Sequence, residues 1–277
     1  MTNTIKFSVL ISVYYKENPI FFKLALNSLL NQTLKPNEIV LVIDGQLTSE
    51  LNTVIDNFKN IFNSLITVTN DNNLGLSASL AKGLKVCKYE YIARMDSDDI
   101  SRIDRFEILL NHALRYPEID IIGSWAIKIN NDGVLSDIMK TPKKNNEIHN
   151  LIWTCPFIHP SVVFKKSRIL EAGSYMFEDG PRQDDYSLWF RCAFRNYKFE
   201  NLPITLLYYR FNSGTILKND IKVGWARFKV GFKGCMKLKL GPIAFLGITI
   251  PLIRSLLPNP LKGWFYILTN KFNPRVR

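Results

Sequence analysis

The first hundred residues alternate between two hydrophobic periods. Continuous apolar runs, "KFSVLISV", "EIVLVID", "LITVT" and "YEYIARM", are separated by stretches in which apolar positions recur every three or four residues. The runs read as strands buried on both faces, and the stretches between them as amphipathic helices. Those helices are "NPIFFKLALNSLLNQT", "TSELNTVIDNFKN", "GLSASLAKGLKVC" and "SRIDRFEILLNHALRY". Asn18 stands as N-cap of the first, with Pro19 at its first helical position, where the missing N–H has no helical partner to lose. This alternation predicts an α/β fold on a mostly parallel sheet with helices on both faces. Residues 118–215 are less regular; "ITLLYYRF" reads as a strand and "YSLWFRCAF" as a helix of the same domain.

Beyond about Asp220 the pattern changes again. Trp225, Phe228, Phe232 and Met236 share one helical face, and Lys229, Lys233 and Lys237 run beside them. The uncharged run Gly241–Ile253 follows, 13 residues long and holding Pro242 and Pro251. It is shorter than the ~18 residues that suggest a membrane span and fits an interfacial segment better. Charge supports this division. The chain of 277 residues carries a net +12, and residues 218–277 hold 12 Lys and Arg against the single acid Asp220. Residues 1–217 are thus nearly neutral, and the tail is expected to associate with an anionic membrane surface. A solvated basic helix packed on its own domain is the bland alternative. No nucleic-acid partner is expected, because no recognised binding module accompanies the charge.

The remaining bulk properties narrow the class. With 47% hydrophobic and 22% charged residues the chain is ordinary globular material. Cys87, Cys155, Cys192 and Cys235 form no CxxC pair, which fits a reducing compartment. The apolar run near the amino terminus stops at Lys16 and Glu17 without a small-residue cleavage site, so it reads as a first strand and not as a signal peptide.

The candidate chemistry sits at the strand ends, where open parallel sheets bind ligands. Strand one runs into Ser12-Val13-Tyr14, strand two into Asp44-Gly45, strand three into Asp71-Asn72-Asn73 and strand four into Asp96-Ser97-Asp98-Asp99. Three aspartates facing Asp44 make a surplus of negative charge that suits a hard divalent cation, Mn2+ or Mg2+. Helix capping competes for the same side chains, since Asp98, Asp99 or Ser101 could serve the amides of the next helix. An EF-hand is excluded by Ile100 and Ser101 at the positions that need an oxygen ligand and a glycine. Neither GxGxxG after strand one nor GxxxxGK[ST] occurs, so dinucleotide and P-loop sites lose their support.

Taken together, "FSVLISVYYKE", "SLLNQTLKPNEIVLVIDG", "NDNNLGLSASLAKGL", "ARMDSDDISRIDRFE", "CPFIHPSVVFKKS" and "DDYSLWFR" resemble the family 2 glycosyltransferases. The likeness spans roughly residues 7–212 and is greatest to the bacterial enzymes that build exopolysaccharide and O-antigen, the amylovoran type included. The sequence departs from the family pattern at Ser12, Ile43 and Ile103, and has Asp184-Asp185 where Glu-Asp is usual. The resemblance implies a GT-A fold, a nucleotide-diphosphate-sugar donor, expected to be a UDP-sugar, and inversion at the anomeric carbon. It places Ser12, Val13, Tyr14 and Asp44 at the nucleoside, and Arg94, Asp96 and Ser97 on the ribose and diphosphate side. Asp98 would hold the metal and Asp185 would be the catalytic base, with Asp184 and His159 on the acceptor side.

The expected enzyme is a metal-dependent hexosyltransferase acting on a lipid-linked saccharide, peripheral to the cytoplasmic face of the inner membrane. Two other classes share parts of this pattern: a nucleotidyltransferase of related architecture and a membrane-binding scaffold without activity. The division expected is a catalytic domain over 1–217 and a membrane-association segment over 218–277. Arg210 is a further candidate for the diphosphate. Trp153 and Trp189 are expected in the core, and His112 and His149 away from the chemistry.

Overall fold

The computed structural model describes residues 5–176, 180–211, 220–270 and 274. The expected boundary between 217 and 218 lies outside the described residues. The first half follows the hydrophobic pattern closely. It runs β1 (Phe7–Tyr14), α1 (Pro19–Leu30), β2 (Glu38–Asp44), α2 (Ser49–Lys59), β3 (Leu65–Asn70), α3 (Leu76–Val86) and β4 (Tyr91–Met95). Asn18 caps α1 as expected, its side chain accepting from the amides of Ile20 and Phe21.

The chain continues through β5 (Ile100–Ser101), α4 (Arg105–Arg115), β6 (Ile121–Ile129), β7 (Leu135–Met139), α5 (Asn145–Asn150), β8 (Val163–Lys165), α6 (Lys166–Glu171), α7 (Asp184–Phe194) and β9 (Phe199–Arg210). Three helices end it: α8 (Ile221–Lys237), α9 (Pro242–Leu256) and α10 (Asn259–Asn270).

One sheet joins the described strands in the order β3-β2-β1-β4-β8-β6-β9-β5, with β7 on β6. The expected parallel pairing holds for β3, β2, β1 and β4. Beyond β4 the sheet is mixed: β8 runs antiparallel to both β4 and β6, while β9 is parallel to β6. The short strands β5, β7 and β8 carry too few residues for a period to show, so their pairing is decided by tertiary contacts.

Strand periodicity sorts the side chains into two cores. Phe7, Val9, Ile11 and Val13 of β1 meet Phe22 and Leu26 of α1, Leu51 of α2 and Phe106 of α4 on one face. Leu10 points the other way, toward Leu80 of α3, Trp189 of α7 and Cys235 of α8. Ser12 and Tyr14 share the parity of Leu10, so the end of β1 offers them on the α3–α7 side.

The terminal helices lie on that second face. An added Cβ at Gly231 of α8 would stand 2.7 Å from the Tyr186 hydroxyl, and one at Gly234 would overlap the Phe190 ring. Cys235 is completely buried between these glycines and α7. The opposite side of α8 leaves Trp225, Phe232 and Met236 about half exposed. Among the described residues, no helix is long and apolar enough to cross a membrane.

Candidate active site

The carboxyl ends of β1, β2 and β4 open into a cleft of about 750 Å³ closed on its far side by the start of α7. Ser12, Tyr14, Asp44, Arg94, Asp96, Ser97, Asp98, His159, Asp184 and Asp185 all line it. Val13 does not: at 1% exposure its side chain belongs to the core on the opposite face of the sheet. A period of two along β1 makes this unavoidable once Ser12 and Tyr14 face the cleft.

Asp44 also differs from expectation. Its Oδ1 accepts from Asn70 Nδ2 at 2.9 Å and from the Leu74 amide at 2.8 Å, and its Oδ2 accepts from the Gly75 amide at 2.9 Å. Asp44 therefore braces the turn between β3 and α3. The adjoining Gly45 has φ +82, and a Cβ there would come within 2.8 Å of the Asn73 backbone, so glycine permits both the left-handed turn and the close approach. Asp44 stands apart from the other acids. The carboxylates that lie within 4.8 Å of one another are those of Asp96, Asp98 and Asp99.

Capping does not explain those three. The chain passes through β5 after Asp99, and α4 begins only at Arg105. Its N-cap is Asp104, whose carboxylate is engaged by Arg102 at 2.5 and 2.8 Å and caps no amide. The early helix start expected at Ser101 fails because residues 100–101 pair with β9.

The cluster is framed by arginines. Arg94, 1% exposed, contacts Asp96 at 2.5 Å, and its Nε and Nη1 have no hydrogen-bond partner. Arg210 donates from its backbone amide to Asp99 Oδ1 at 2.7 Å. Its guanidinium is clamped by the carbonyls of Asp98 and Asn130, both at 2.8 Å, over the Phe21 ring. Arg210 thus shapes the aspartate loop, which is a different task from reaching a diphosphate. Arg105 is fully buried behind the loop, donating to the Arg94 carbonyl at 2.7 Å, and burial pushes its guanidinium down to about 9. Nothing in the amphipathic pattern of α4 distinguishes Arg105 from a solvent-facing residue of the first turn.

Electrostatics favours a cation here. Burial, then Asp96, pushes the Asp98 carboxyl up to about 6, and burial with both neighbours holds Asp99 well above the carboxylate range. Asp99 Oδ2 is buried without a hydrogen-bond partner. Oxygen donors crowded together, partly desolvated and unmatched, are the donor set a hard divalent cation takes.

The sign of the resulting pH dependence follows from linkage. Asp98 has its ordinary value of 3.8 in the unfolded chain, so its stabilising contribution is complete below about that pH and is lost as pH rises through about 6. Asp98→Asn is expected to raise the melting temperature of the cation-free protein at pH 7.5. Added Mn2+ is expected to raise that of the unsubstituted protein more at pH 7.5 than at pH 5. Thermal melts at both pH values check this, and an equal Mn2+ effect at each would contradict it.

At the other end of the cleft, α7 opens with Asp184 and Asp185 in its first turn. Ser77 at the start of α3 donates to Asp184 Oδ1, tying the two helix ends together, and burial pushes the Asp184 carboxyl upward. Asp185 Oδ1 accepts from the Tyr186 amide at 2.8 Å, and the Cys155 thiol donates to Oδ2 at 3.3 Å. His159 bonds Tyr175 Oη at 2.9 Å and is held neutral by burial and Arg94. A buried imidazole so disfavoured as a cation is a poor proton acceptor.

Of the two tryptophans expected in the core, Trp153 is only partly buried against it. Trp189 is fully buried, His112 pairs with Glu200 on the surface of α4, and His149 contacts the Tyr197 carbonyl. All four cysteines are buried, and none forms a disulfide.

The cleft lies at the carboxyl ends of the parallel strands, where open α/β sheets bind ligands, and carboxylates and arginines line it. Residues 8–171 match the family described as Glycosyl transferase family 2. The chain is 33% identical over 267 residues to UDP-Gal:alpha-D-GlcNAc-diphosphoundecaprenol beta-1,3-galactosyltransferase of Escherichia coli, covering 95% of this chain and 96% of that one. It is 37% identical over 224 residues to the amylovoran biosynthesis glycosyltransferase AmsE of Erwinia amylovora, covering 80% and 82%. Among solved structures, S. aureus TarS 1-349 in complex with UDP-GlcNAc superposes with a TM-score of 0.67 at 17% identity, over 99% of this chain and 76% of that one. Against a longer TarS chain the match spans 43% of its length. The chain belongs to glycosyl transferase family 2 and is a glycosyltransferase of GT-A fold.

Proposed function

We propose that the enzyme is an inverting hexosyltransferase. It would move a hexose from a nucleotide-diphosphate sugar, a UDP-sugar, to a hydroxyl of a lipid-linked saccharide in the assembly of a bacterial surface polysaccharide. The observation that carries this reading is one cleft lined both by Asp96 and Asp98 of the aspartate cluster and by Asp185. The galactosyltransferase relative, whose acceptor is a diphospholipid-linked sugar, supports the acceptor class.

Each residue then has a task. Ser12 and Tyr14 line the nucleoside end, and Asp44 holds the turn that borders it. Arg94 and Ser97 flank the diphosphate, with Asp96 kept in place by Arg94. Asp98, with Asp96 beside it, would hold a divalent cation, Mn2+ or Mg2+. When bound, that cation supplies positive charge to the departing nucleoside diphosphate. Asp185 accepts the proton of the acceptor hydroxyl as it attacks from the opposite face, a contribution of about 10²–10⁴-fold. The Tyr186 amide and the Cys155 thiol fix the orientation of its carboxylate.

Incubating the purified protein with UDP-glucose, UDP-galactose and UDP-N-acetylglucosamine and a diphospholipid-linked sugar tests the reaction class. Release of UDP with the glycosylated lipid is expected; release of pyrophosphate would point to nucleotidyl transfer instead.

The tail would hold the enzyme on the cytoplasmic face of the inner membrane as a peripheral protein. Trp225, Phe232, Ile243, Leu246 and Trp264 are exposed beside Lys229 and Lys233, and basic residues draw anionic headgroups by about 1 kcal/mol each near the surface. Because α8 also covers α7, substitution is a cleaner test than truncation. Replacing Trp225 and Trp264 together by Asp is expected to lower binding to phosphatidylglycerol vesicles at least about tenfold, read by co-sedimentation with the fold checked by circular dichroism. Unchanged sedimentation would remove the tail from the role.

A further inference from the structure

Two arginines in the cleft are left without work by the donor. Arg227 comes from α8 and Arg182 from the segment leading into α7, and both line the cleft that Asp185 closes. Arg227 lies over the Tyr186 ring, 4.1 Å from its centroid, one residue beyond Asp185. Among the described residues neither arginine has a carboxylate partner. Arg94 is already matched with Asp96, and Arg210 with backbone carbonyls. Arg182 also holds a left-handed backbone at φ +60, a conformation unfavourable for a non-glycine residue that persists where the surroundings impose it.

Helix α8 presents two distinct faces. At 3.6 residues per turn, Arg227 lies about 200° round the axis from Trp225. The helix therefore turns Trp225, Phe232 and Met236 outward while it delivers Arg227 inward. Ala226, beside it, is packed so closely that a Cβ on Gly180 would stand 2.8 Å away. The segment carrying Arg182 is thereby fixed against the helix carrying Arg227.

We propose that Arg227 and Arg182 bind the diphosphate that joins the acceptor sugar to its lipid. This inference rests on the acceptor class proposed above. A guanidinium pairs with phosphate oxygens through two parallel N–H donors, and two of them match the charge of a diphosphate. The position suits the acceptor, because Arg227 is seated on Tyr186 beside Asp185, whereas the donor's diphosphate belongs with the aspartate cluster. An acceptor lipid lying along the exposed face of α8 would bring its headgroup to the same helix that supplies Arg227. The enzyme would then read the phosphate linkage as well as the sugar.

The test uses the full chain and two soluble probes with the same undecyl tail. One carries N-acetylglucosamine through an α-diphosphate, and the other is undecyl N-acetylglucosaminide. Binding of undecyl diphosphate to the protein saturated with UDP and Mn2+ is measured in parallel by calorimetry. Arg227→Gln is expected to weaken undecyl diphosphate binding and raise KM for the diphosphate acceptor by at least about tenfold, as loss of a charge-assisted contact does. It should leave KM for the nucleotide sugar unchanged and erase the preference over the glucosaminide. Arg182→Gln, at an exposed residue, is expected to act in the same direction if Arg227→Gln fails to fold.

An increase in donor KM alone would assign the arginines to the donor's diphosphate and overturn the proposal. Unchanged binding in both folded variants would reduce Arg227 to packing on Tyr186 and overturn it equally. If the unsubstituted protein binds undecyl diphosphate but glycosylates neither probe, N-acetylglucosamine fails as the acceptor sugar while the diphosphate site stands.

Discussion

Asp98→Ala is expected to abolish sugar transfer, lowering kcat by about 10³-fold or more, while the protein remains folded. Asp98 sits with Asp96 and Asp99 in a group whose oxygens lie within 4.8 Å of one another. Its carboxyl, driven up to about 6 by burial and by Asp96, resists ionisation until positive charge arrives. Removing it takes away a cation ligand and relieves a repulsion. The activity loss should therefore come without a loss of stability in the cation-free state, the pattern of a residue kept for function against its own energetic interest. Steady-state kinetics alongside a thermal melt measures both. Exhaustive chelation should give the same loss in the unsubstituted enzyme, reversed by Mn2+ or Mg2+. Normal turnover in Asp98→Ala, or full activity after chelation, would remove the cation from the reaction.

Asp185→Asn is expected to lower kcat by about 10²–10⁴-fold, with KM for the nucleotide sugar little changed. The amide is nearly isosteric, and its oxygen still accepts from the Tyr186 amide that now bonds Asp185 Oδ1 at 2.8 Å. What disappears is the ability to take a proton from the attacking hydroxyl. Asp184 cannot replace it readily, because Ser77 occupies its Oδ1 and burial favours its protonated form. Asp184→Asn should consequently act mainly through the junction of α3 with α7. Its deficit should be smaller than that of Asp185→Asn, and the reverse order would exchange the two assignments.

Much of the scaffold was legible in the sequence, for identifiable reasons. β1, β2 and β4 are buried on both faces, so their apolar runs are continuous, while β3 at the sheet edge is only partly buried; α1 carries Asn18 and Pro19 where a helix start needs them. The aspartates after β4 follow its apolar run directly, which marks them as strand-end residues in the sequence itself. The second half was harder. β5 has two residues and β8 three, too short to display a period, and they exist because β9 and β4 offer them backbone partners.

The site departed from expectation where side-chain direction mattered. Val13 was grouped with Ser12 and Tyr14 by adjacency, whereas the pleat sends it to the opposite core. Asp44 counts toward the acidic surplus in the sequence, yet its carboxylate accepts hydrogen bonds from Asn70 at the end of β3 and from the Leu74 and Gly75 amides of the turn that follows. Arg182 and Arg227 carried no signal in the strand-end pattern, since one lies before a helix and the other among the basic residues of α8. Buried Arg105 could not be told from a surface arginine without knowing which side of α4 meets the aspartate loop.

The anomeric configuration of the product decides most directly between this mechanism and its rivals. With the diphospholipid-linked N-acetylglucosamine as acceptor and the UDP-sugar that supports turnover as donor, proton NMR of the isolated product reads the new linkage. One displacement with Asp185 as base predicts a β-linked sugar from the α-linked donor, formed in equal amount to the UDP released. An α-linked product would contradict it.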